Sequence, residues 1–153
     1  MTYPSVPPSG VPAGFIDPVL EPADIESLGL YYLTPYMGNT PIATRLPNPK
    51  DQADTINGFL RIEAGGGSDA NRFEYNLSLI LHGYSPYEIQ ASQICRNAYK
   101  WAKAATGQQV AGWYVSHVVN TVAPHRLGDP NVEELTRYRA MVTWRVPGLV
   151  GGS

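Results

Sequence analysis

The chain has 153 residues, which is the length of one domain or of one domain with a tail, and its 43% hydrophobic content is enough for a real core. The formal charge of −2 excludes a general nucleic-acid binder with a basic stripe, and a single cysteine excludes an internal disulfide framework and fits a cytosolic assembly environment. No apolar run approaches the roughly 18 residues of a membrane span, and the N-terminus does not show the pattern of a secretory signal.

The low charge of the chain is its most unusual compositional feature. Charged residues make up 16% of the sequence, whereas about 25% is usual for a soluble domain. Ten Tyr and three Trp accompany this low charge. Because Tyr and Trp bury a large area at little rotamer cost, the composition suggests a surface covered by neighbouring proteins. The alternative is that Tyr serves here as a strand-forming residue.

The first 20 residues are rich in proline and read MTYPSVPPSGVPAGFIDPVL. Proline favours extended, solvated backbone, but Phe15 and Ile16 are too apolar for a pure linker. We expect an extended N-terminal arm over residues 1–20 that lies on its own core or on a neighbour. A floppy tail with a local apolar anchor is the alternative. The folded domain is expected over 21–149, and 150–153 form a loose C-terminal tail.

A helix is predicted next, from near Pro22 to Tyr36, because apolar residues recur there at helical spacing and Pro35 ends the pattern. The segments that follow are a short extended stretch over 40–47, a polar loop over 48–57, a strand over 58–64 and a flexible glycine-rich connection over 65–69. The strand over 58–64 is predicted to lead, through the glycine-rich connection, into the longest strand of the chain.

That long strand and the helix after it carry the clearest periodicity. Alternation predicts a strand with one buried face, formed by Phe73, Tyr75, Leu77, Leu79 and Leu81, and one polar face with Arg72, Glu74, Asn76, Ser78 and His82. After Ser85 the spacing becomes helical, with Trp101 as the largest candidate core anchor. Ser85 is the predicted N-cap, with Glu88 completing a capping box, and Gly107 the predicted end of the helix.

Two more strands are predicted, over 110–122 and 136–146. In the last strand one face carries Tyr138, Ala140, Val142, Trp144 and Val146, and the other carries Arg137, Arg139, Thr143 and Arg145. Helices that bury one stripe need a sheet face to cover. The sequence therefore predicts an α+β fold: an antiparallel-rich or mixed sheet of four to five strands with two helices packed on one face.

No reactive site can be argued from the residue pattern. Cys95 lies mid-helix on the apolar stripe, which favours a packed core cysteine over a nucleophile. His82, His117 and His125 have no second ligand at metal-site spacing. Gly65–Gly67 are followed by a strand and not by the Lys-Ser/Thr and helix of a phosphate loop. We therefore expect no catalytic residues, no metal, no cofactor and no enzymatic activity.

The arginines of the last strand are the sharpest polar feature. Arg137, Arg139 and Arg145 share a face that cannot be core. They belong either to a solvated sheet face, paired across the sheet with Glu63 or Glu74, or to a subunit interface, where Arg makes bidentate contacts with carboxylates. We take these five residues as a candidate subunit interface.

Four local signatures give the chain a family resemblance through their order and spacing. They are Thr44-Arg45-Leu46-Pro47 after the first helix, Gly58-Phe59-Leu60-Arg61-Ile62 closing on Gly65-Gly66-Gly67, Ser85-Pro86-Tyr87-Glu88 after the long strand, and Asp129-Pro130 before Arg137-Tyr138-Arg139 and Val146-Pro147-Gly148. Over residues 22–149 the chain resembles the tail terminator, or tail completion, proteins of long-tailed bacteriophages. Its composition resembles that of actinobacteriophage and mycobacteriophage proteins.

The resemblance implies a virion protein, assembled in the host cytoplasm, that forms a six-membered ring at the head–tail junction. Such a ring stops polymerisation of the tail tube protein and docks the tail to the head–tail connector and neck proteins. DNA would only pass through its lumen, and no membrane is involved. The alternatives are a connector, neck protein or tail-tube subunit of the same virion. More remote alternatives are a small enzyme using Cys95 or a site near Asp129 and His125, and a binding module that acts through the Pro-rich arm.

Overall fold

A computed structural model describes residues 19–46, 58–128 and 135–150 of the chain. The elements in chain order are β1 (Leu20–Glu21), α1 (Ile25–Leu33), a 3₁₀ turn (Thr34–Tyr36), β2 (Ile42–Ala43), β3 (Phe59–Asp69), β4 (Glu74–Ser85), α2 (Glu88–Lys103), β5 (Gln108–Val110), β6 (Trp113–Val115), β7 (His117–Arg126), β8 (Thr136–Pro147) and β9 (Leu149–Val150). The predicted polar loop over 48–57 and nearly all of the predicted N-terminal arm lie outside the described residues.

Five strands form one mixed sheet in the order β2-β3-β4-β8-β7, in which β2 and β3 are parallel and the other neighbours antiparallel. Helix α1 packs on this sheet at Leu79, and α2 packs on the same face at Leu81, whose carbonyl faces the Cys95 thiol at 3.8 Å. The predicted α+β fold with two helices on one sheet face is therefore confirmed. Neither helix of the described residues is long and apolar enough to cross a membrane.

Two short antiparallel pairs complete the fold. In the first, Leu20 of β1 lies opposite Val150 of β9. These two residues come from the predicted arm and the predicted C-terminal tail, so the structure pairs the two ends of the folded part. The second pair joins β5 and β6 through Ala111 and Gly112, whose φ angles are 49° and 87°. Positive φ at both central residues is the geometry of a type I′ hairpin turn.

The boundaries of both helices differ from their predictions. Helix α1 begins after Asp24, whose side chain accepts from the amides of Glu26 and Ser27, and it is shorter than predicted because Pro35 lies in the 3₁₀ turn. Helix α2 begins only at Glu88, so the predicted N-cap at Ser85 is wrong.

Ser85 has a different role at the end of β4. Its hydroxyl accepts from the Tyr87 amide at 3.0 Å and donates to the Gln90 side chain at 2.6 Å. Glu88 does not complete a capping box, because its carboxylate accepts from the Tyr138 hydroxyl at 3.1 Å and pairs with Arg126 at 3.4 Å. These bonds tie the start of α2 to strands β7 and β8.

Two predictions about strands are wrong because the segments pair with other strands in a way that the sequence did not indicate. The glycine-rich stretch that was expected to be a flexible connection continues β3 as far as Asp69, because it pairs with β4 across a bulge between Ala64 and Gly67. The single strand expected over 110–122 is divided, since the Ala111–Gly112 turn folds its first part back into the β5–β6 hairpin. Val110 and Val115 of that hairpin join the main core.

Trp144 anchors the main core. Its side chain is fully buried, its Nε1 donates to the Ala102 carbonyl of α2 at 2.9 Å, and the edge of its ring meets Tyr32 of α1. Trp101, the anchor expected from the sequence, is half-buried and stacks on Tyr36 at 4.0 Å. The apolar face predicted for β8 is confirmed, and Trp144 of this strand contacts both helices.

Candidate interface on the polar sheet face

The sheet face opposite α1 and α2, here called the polar sheet face, collects most of the polar side chains of the three central strands. Strand alternation and the antiparallel registers of β3, β4 and β8 place them there. Its members include Arg61, Glu63, Glu74, Asn76, Ser78, His82, Tyr84, Arg137, Arg139, Thr143 and Arg145. All five residues of the interface predicted from the sequence therefore lie on this one face.

Glu63 pairs with a residue of its own strand and not with the arginines of β8. The Arg61 Nη2 atom lies 2.9 Å from Glu63 Oε2, and the same Nη2 lies 3.3 Å from His82 Nε2. His82 Nε2 is 3.6 Å from Glu63 Oε1. The register places Glu63 opposite Ile80 and not opposite an arginine of β8. The alternative in which Glu63 pairs across the sheet with the β8 arginines therefore has no support among the described residues.

A row of basic residues crosses four strands next to that pair. Arg61 lies opposite His82, His82 opposite Arg139, and Arg139 opposite His125 in the register of the sheet. His82 is 2% exposed, whereas His125 lies at the exposed edge of β7. Arg139 makes no hydrogen bond or ion pair with any described residue. Arg61 and Arg139 therefore lie on either side of His82 in this row.

His82 is uncharged at neutral pH despite its carboxylate neighbour. Burial is the main cause that lowers its pKa to about 4, and the positive charge of Arg61 lowers it further. The Glu63 carboxylate opposes both effects and does not overcome them. A neutral imidazole therefore lies between Arg61 and Arg139.

Glu74 and Arg145 form a second, separate group near the other end of β4 and β8. The Glu74 carboxylate accepts from Asn71 Nδ2 at 2.9 Å and from the Ser116 hydroxyl at 3.0 Å. The Asn71 hydrogen bond is the main cause that lowers the Glu74 pKa, with smaller contributions from Ser116 and Arg145. Arg145 Nε donates to Asn76 Oδ1 at 3.2 Å. These contacts hold both charged side chains in place on the sheet.

Arg137 stabilises the end of β7. Its Nε donates to the Leu127 carbonyl at 3.2 Å and its Nη2 to the Gly128 carbonyl at 2.6 Å. The five predicted residues thus fall into two groups on one face: Glu63 with Arg137 and Arg139, and Glu74 with Arg145. Sequence reasoning missed Arg61, although its alternation with Leu60 and Ile62 places it on this face.

A small apolar cluster also interrupts the polar sheet face. Phe59 and Tyr84 stack at 4.8 Å with their rings 12° apart, and Leu46 and Leu135 pack against them. Both rings are almost fully buried. The cluster lies next to His82, whose ring is 6.1 Å from that of Tyr84. This arrangement explains how a histidine on a polar face becomes buried.

Cys95 lies in the core, as predicted. Its side chain is fully buried, and burial raises the pKa of the thiol to about 12, so it is protonated at neutral pH. Within 19–46, 58–128 and 135–150, no group of three or more His, Cys, Asp or Glu side chains could hold a metal ion. His117 and His125 are exposed, whereas the Cys95 thiol is buried.

Comparison with known proteins adds little to this description of the polar sheet face. No protein-family model matches the chain. No curated protein matches it. Among solved structures, the chain is similar to a chain of the virion of a native gene transfer agent particle, with 13% identity and a TM-score of 0.41 over 76% of this chain and 84% of that one. Similarity at this level does not carry an argument about function.

Proposed function

We propose that this chain is a structural virion protein of a long-tailed bacteriophage, and that it forms a ring which ends the tail tube and joins it to the head. The observation that carries the proposal is the order of elements on which the resemblance to tail terminators rests. One α+β unit contains, in this order, helix α1, the short β2, the β3–β4 pair, α2 and the two closing strands. The proposal assigns the chain a binding role.

The polar sheet face supports a role in assembly. Both helices lie on the other side of the sheet. The arginines of this face are carried by strands that the core holds in fixed positions. A closed ring needs a head-to-tail interface, in which two different surfaces of each subunit meet. Arg139 and Arg145 would form one of these surfaces and meet carboxylates of the next subunit. The formal charge of −2 on each copy suits a ring through which DNA must pass without sticking.

Ending a tube requires a protein that binds the last tube ring and then offers no further tube-binding surface. The direct test is the distribution of tail lengths, measured by negative-stain electron microscopy in lysates of the source phage that lack this chain. Abnormally long tubes without heads are the expected result. Tails of normal length that fail to join heads would assign the chain to the connector, and virions without a defect would refute a structural role.

The interface itself is tested by reversing two charges. We expect Arg139→Glu with Arg145→Glu to stop assembly of complete virions and to leave the fold intact, as judged by circular dichroism. A matched control is Arg96→Glu with Lys103→Glu, which reverses two exposed charges on α2, in the other layer of the protein. Assembly that tolerates the first pair as well as the control pair would contradict the assignment.

A further inference from the structure

A groove runs along the exposed side of α1. Its first part is a cleft of about 400 Å³ between Pro22, α1 and the β5–β6 hairpin, with Tyr31 and Trp113 in its walls. Its second part, of about 630 Å³, continues along α1 past Leu30 to Pro35. Tyr31 lines both parts, so they form one continuous surface, here called the α1 groove.

The α1 groove is lined by uncharged residues of the helix. From residue 27 to residue 35 the sequence has no charged side chain, whereas the outer face of a surface helix ordinarily carries charged and polar ones. Tyr31 is 64% exposed in the middle of the groove. Polar groups here already bond locally, since the Ser27 hydroxyl donates to Asp24 at 2.9 Å and the Thr34 hydroxyl donates to a carbonyl of α1 at 2.6 Å. The groove therefore fits an uncharged and largely apolar ligand.

The Pro-rich arm, of which residues 1–18 lie outside the described residues, joins the fold at the rim of the α1 groove. Strand β1 begins at Leu20, and Glu21 and Pro22, which come next, line the first cleft. Five of the first 18 residues are prolines, and Asp17 is the one charged side chain among them. About 12 residues of polyproline II span about 37 Å, whereas α1, with nine residues, is about 14 Å long. The arm is therefore long enough to lie along the whole groove.

A proline-rich segment suits a groove with aromatic walls for a physical reason. Polyproline II is preformed and extended, so little conformational entropy is lost when it binds. Tyr31 and Trp113 offer flat apolar surfaces against which proline rings can pack. Because arm and groove belong to one chain, their effective concentration is on the order of millimolar, and a weak contact is sufficient.

We propose that the α1 groove binds the Pro-rich arm of its own chain, with the prolines from Pro4 to Pro12 against Tyr31 and Trp113. The contact covers the uncharged side of α1 with a segment that is itself almost uncharged. The proposal concerns a different surface from the polar sheet face, and it does not depend on a ring or on a role in ending tail tubes.

The contact is tested in the full chain by paramagnetic relaxation in NMR. Ser9→Cys places a thiol in the arm for a nitroxide label, and the buried Cys95 stays unlabelled. The indole N–H signals of the three tryptophans are compared before and after the label is reduced, and Trp113→Phe assigns the signal of Trp113. We expect strong broadening of the Trp113 signal that disappears on reduction. A Trp113 signal that the label leaves sharp would overturn the proposal.

Variants of the groove and of the arm locate the contact. Tyr31→Ala removes the central aromatic ring, and Tyr87→Ala is the matched control, because both side chains are 64% exposed and Tyr87 lies at the start of α2, outside the groove. We expect the broadening to be lost in Tyr31→Ala and kept in Tyr87→Ala. Pro7→Ser with Pro8→Ser, which leaves the groove itself unchanged, should also abolish it. Broadening that survives Tyr31→Ala or the proline substitutions would refute this binding mode.

A mixed sample tests whether the arm comes from the same chain. Isotope-enriched protein without the label is mixed with labelled protein that is not enriched, so that only contacts between copies can broaden the observed signals. We expect the Trp113 signal of the enriched protein to stay sharp. Broadening in the mixture would show that the arm reaches a second copy and would refute the same-chain contact. No tail tube takes part in these measurements, so this proposal and the proposed function can fail separately.

Discussion

Acidification should destabilise this protein through His82 before it acts through most carboxylates. The pKa of His82 is about 4 in the folded protein, against an ordinary value of 6.5 that applies in the unfolded chain. The unfolded state therefore takes up a proton at a higher pH than the folded state does. Stability is unaffected by this group above pH 6.5, and it falls as the pH drops from 6.5 towards 4.

The size of the effect follows from the difference between the two pKa values. The folded value of about 4 lies roughly 2.5 pH units below 6.5, and one unit corresponds to about 1.36 kcal/mol, so the loss approaches about 3 kcal/mol near pH 4. No reduction for solvent screening is needed, because His82 is 2% exposed. Such a loss is a large fraction of the stability of a typical domain, which is about 5–15 kcal/mol.

The assay compares urea unfolding of the wild type and of His82→Gln between pH 7 and pH 4. Gln is neutral throughout this range, so the free energy of unfolding should fall by about 3 kcal/mol less in the variant than in the wild type. Carboxylates such as Glu74 titrate in both proteins, and their contribution cancels in the comparison. Equal pH dependence in the two proteins, or a His82 pKa near 6.5 by NMR, would refute the reasoning.

Three further predictions concern the packing of α2 on the sheet. A Cβ at Gly83 would lie 2.6 Å from the Ala91 carbonyl oxygen, so Gly83→Ala should cost about 1–3 kcal/mol in urea unfolding. Gly128→Ala, which has open space around it, should change stability by less than about 0.5 kcal/mol. Trp144→Phe should cost about 1–3 kcal/mol, because the hydrogen bond to the helix carbonyl and part of the buried ring are lost; a smaller loss by calorimetry would show that another residue anchors the core. Cys95 should resist a thiol reagent until the protein unfolds, and modification of the native protein at a rate similar to that of a free thiol would contradict its burial.

The sequence alone was sufficient to predict the elements whose residue pattern is local. The alternation of β8 predicted its buried face residue by residue, since successive side chains of a strand point to opposite sides. The helical spacing after Ser85 predicted α2, but the helix ends at Lys103 with Ala104 as its C-cap, so Gly107 is not the residue that ends it. Cys95 was placed correctly in the core on the same grounds. In each case the information lies within a few residues along the chain.

The tertiary structure decided everything that depends on pairing between distant segments. Strand β3 continues through its glycines because Gly67, Ser68 and Asp69 pair with β4 beyond the bulge, and no local pattern predicts that partner. The same applies to the row of basic residues on the polar sheet face. Arg61, His82 and Arg139 come from three different strands, and only the register of β3, β4 and β8 brings them into one row. A shift of one residue in any of these strands would turn its side chain to the core, so the row depends on the register and not on the residues alone.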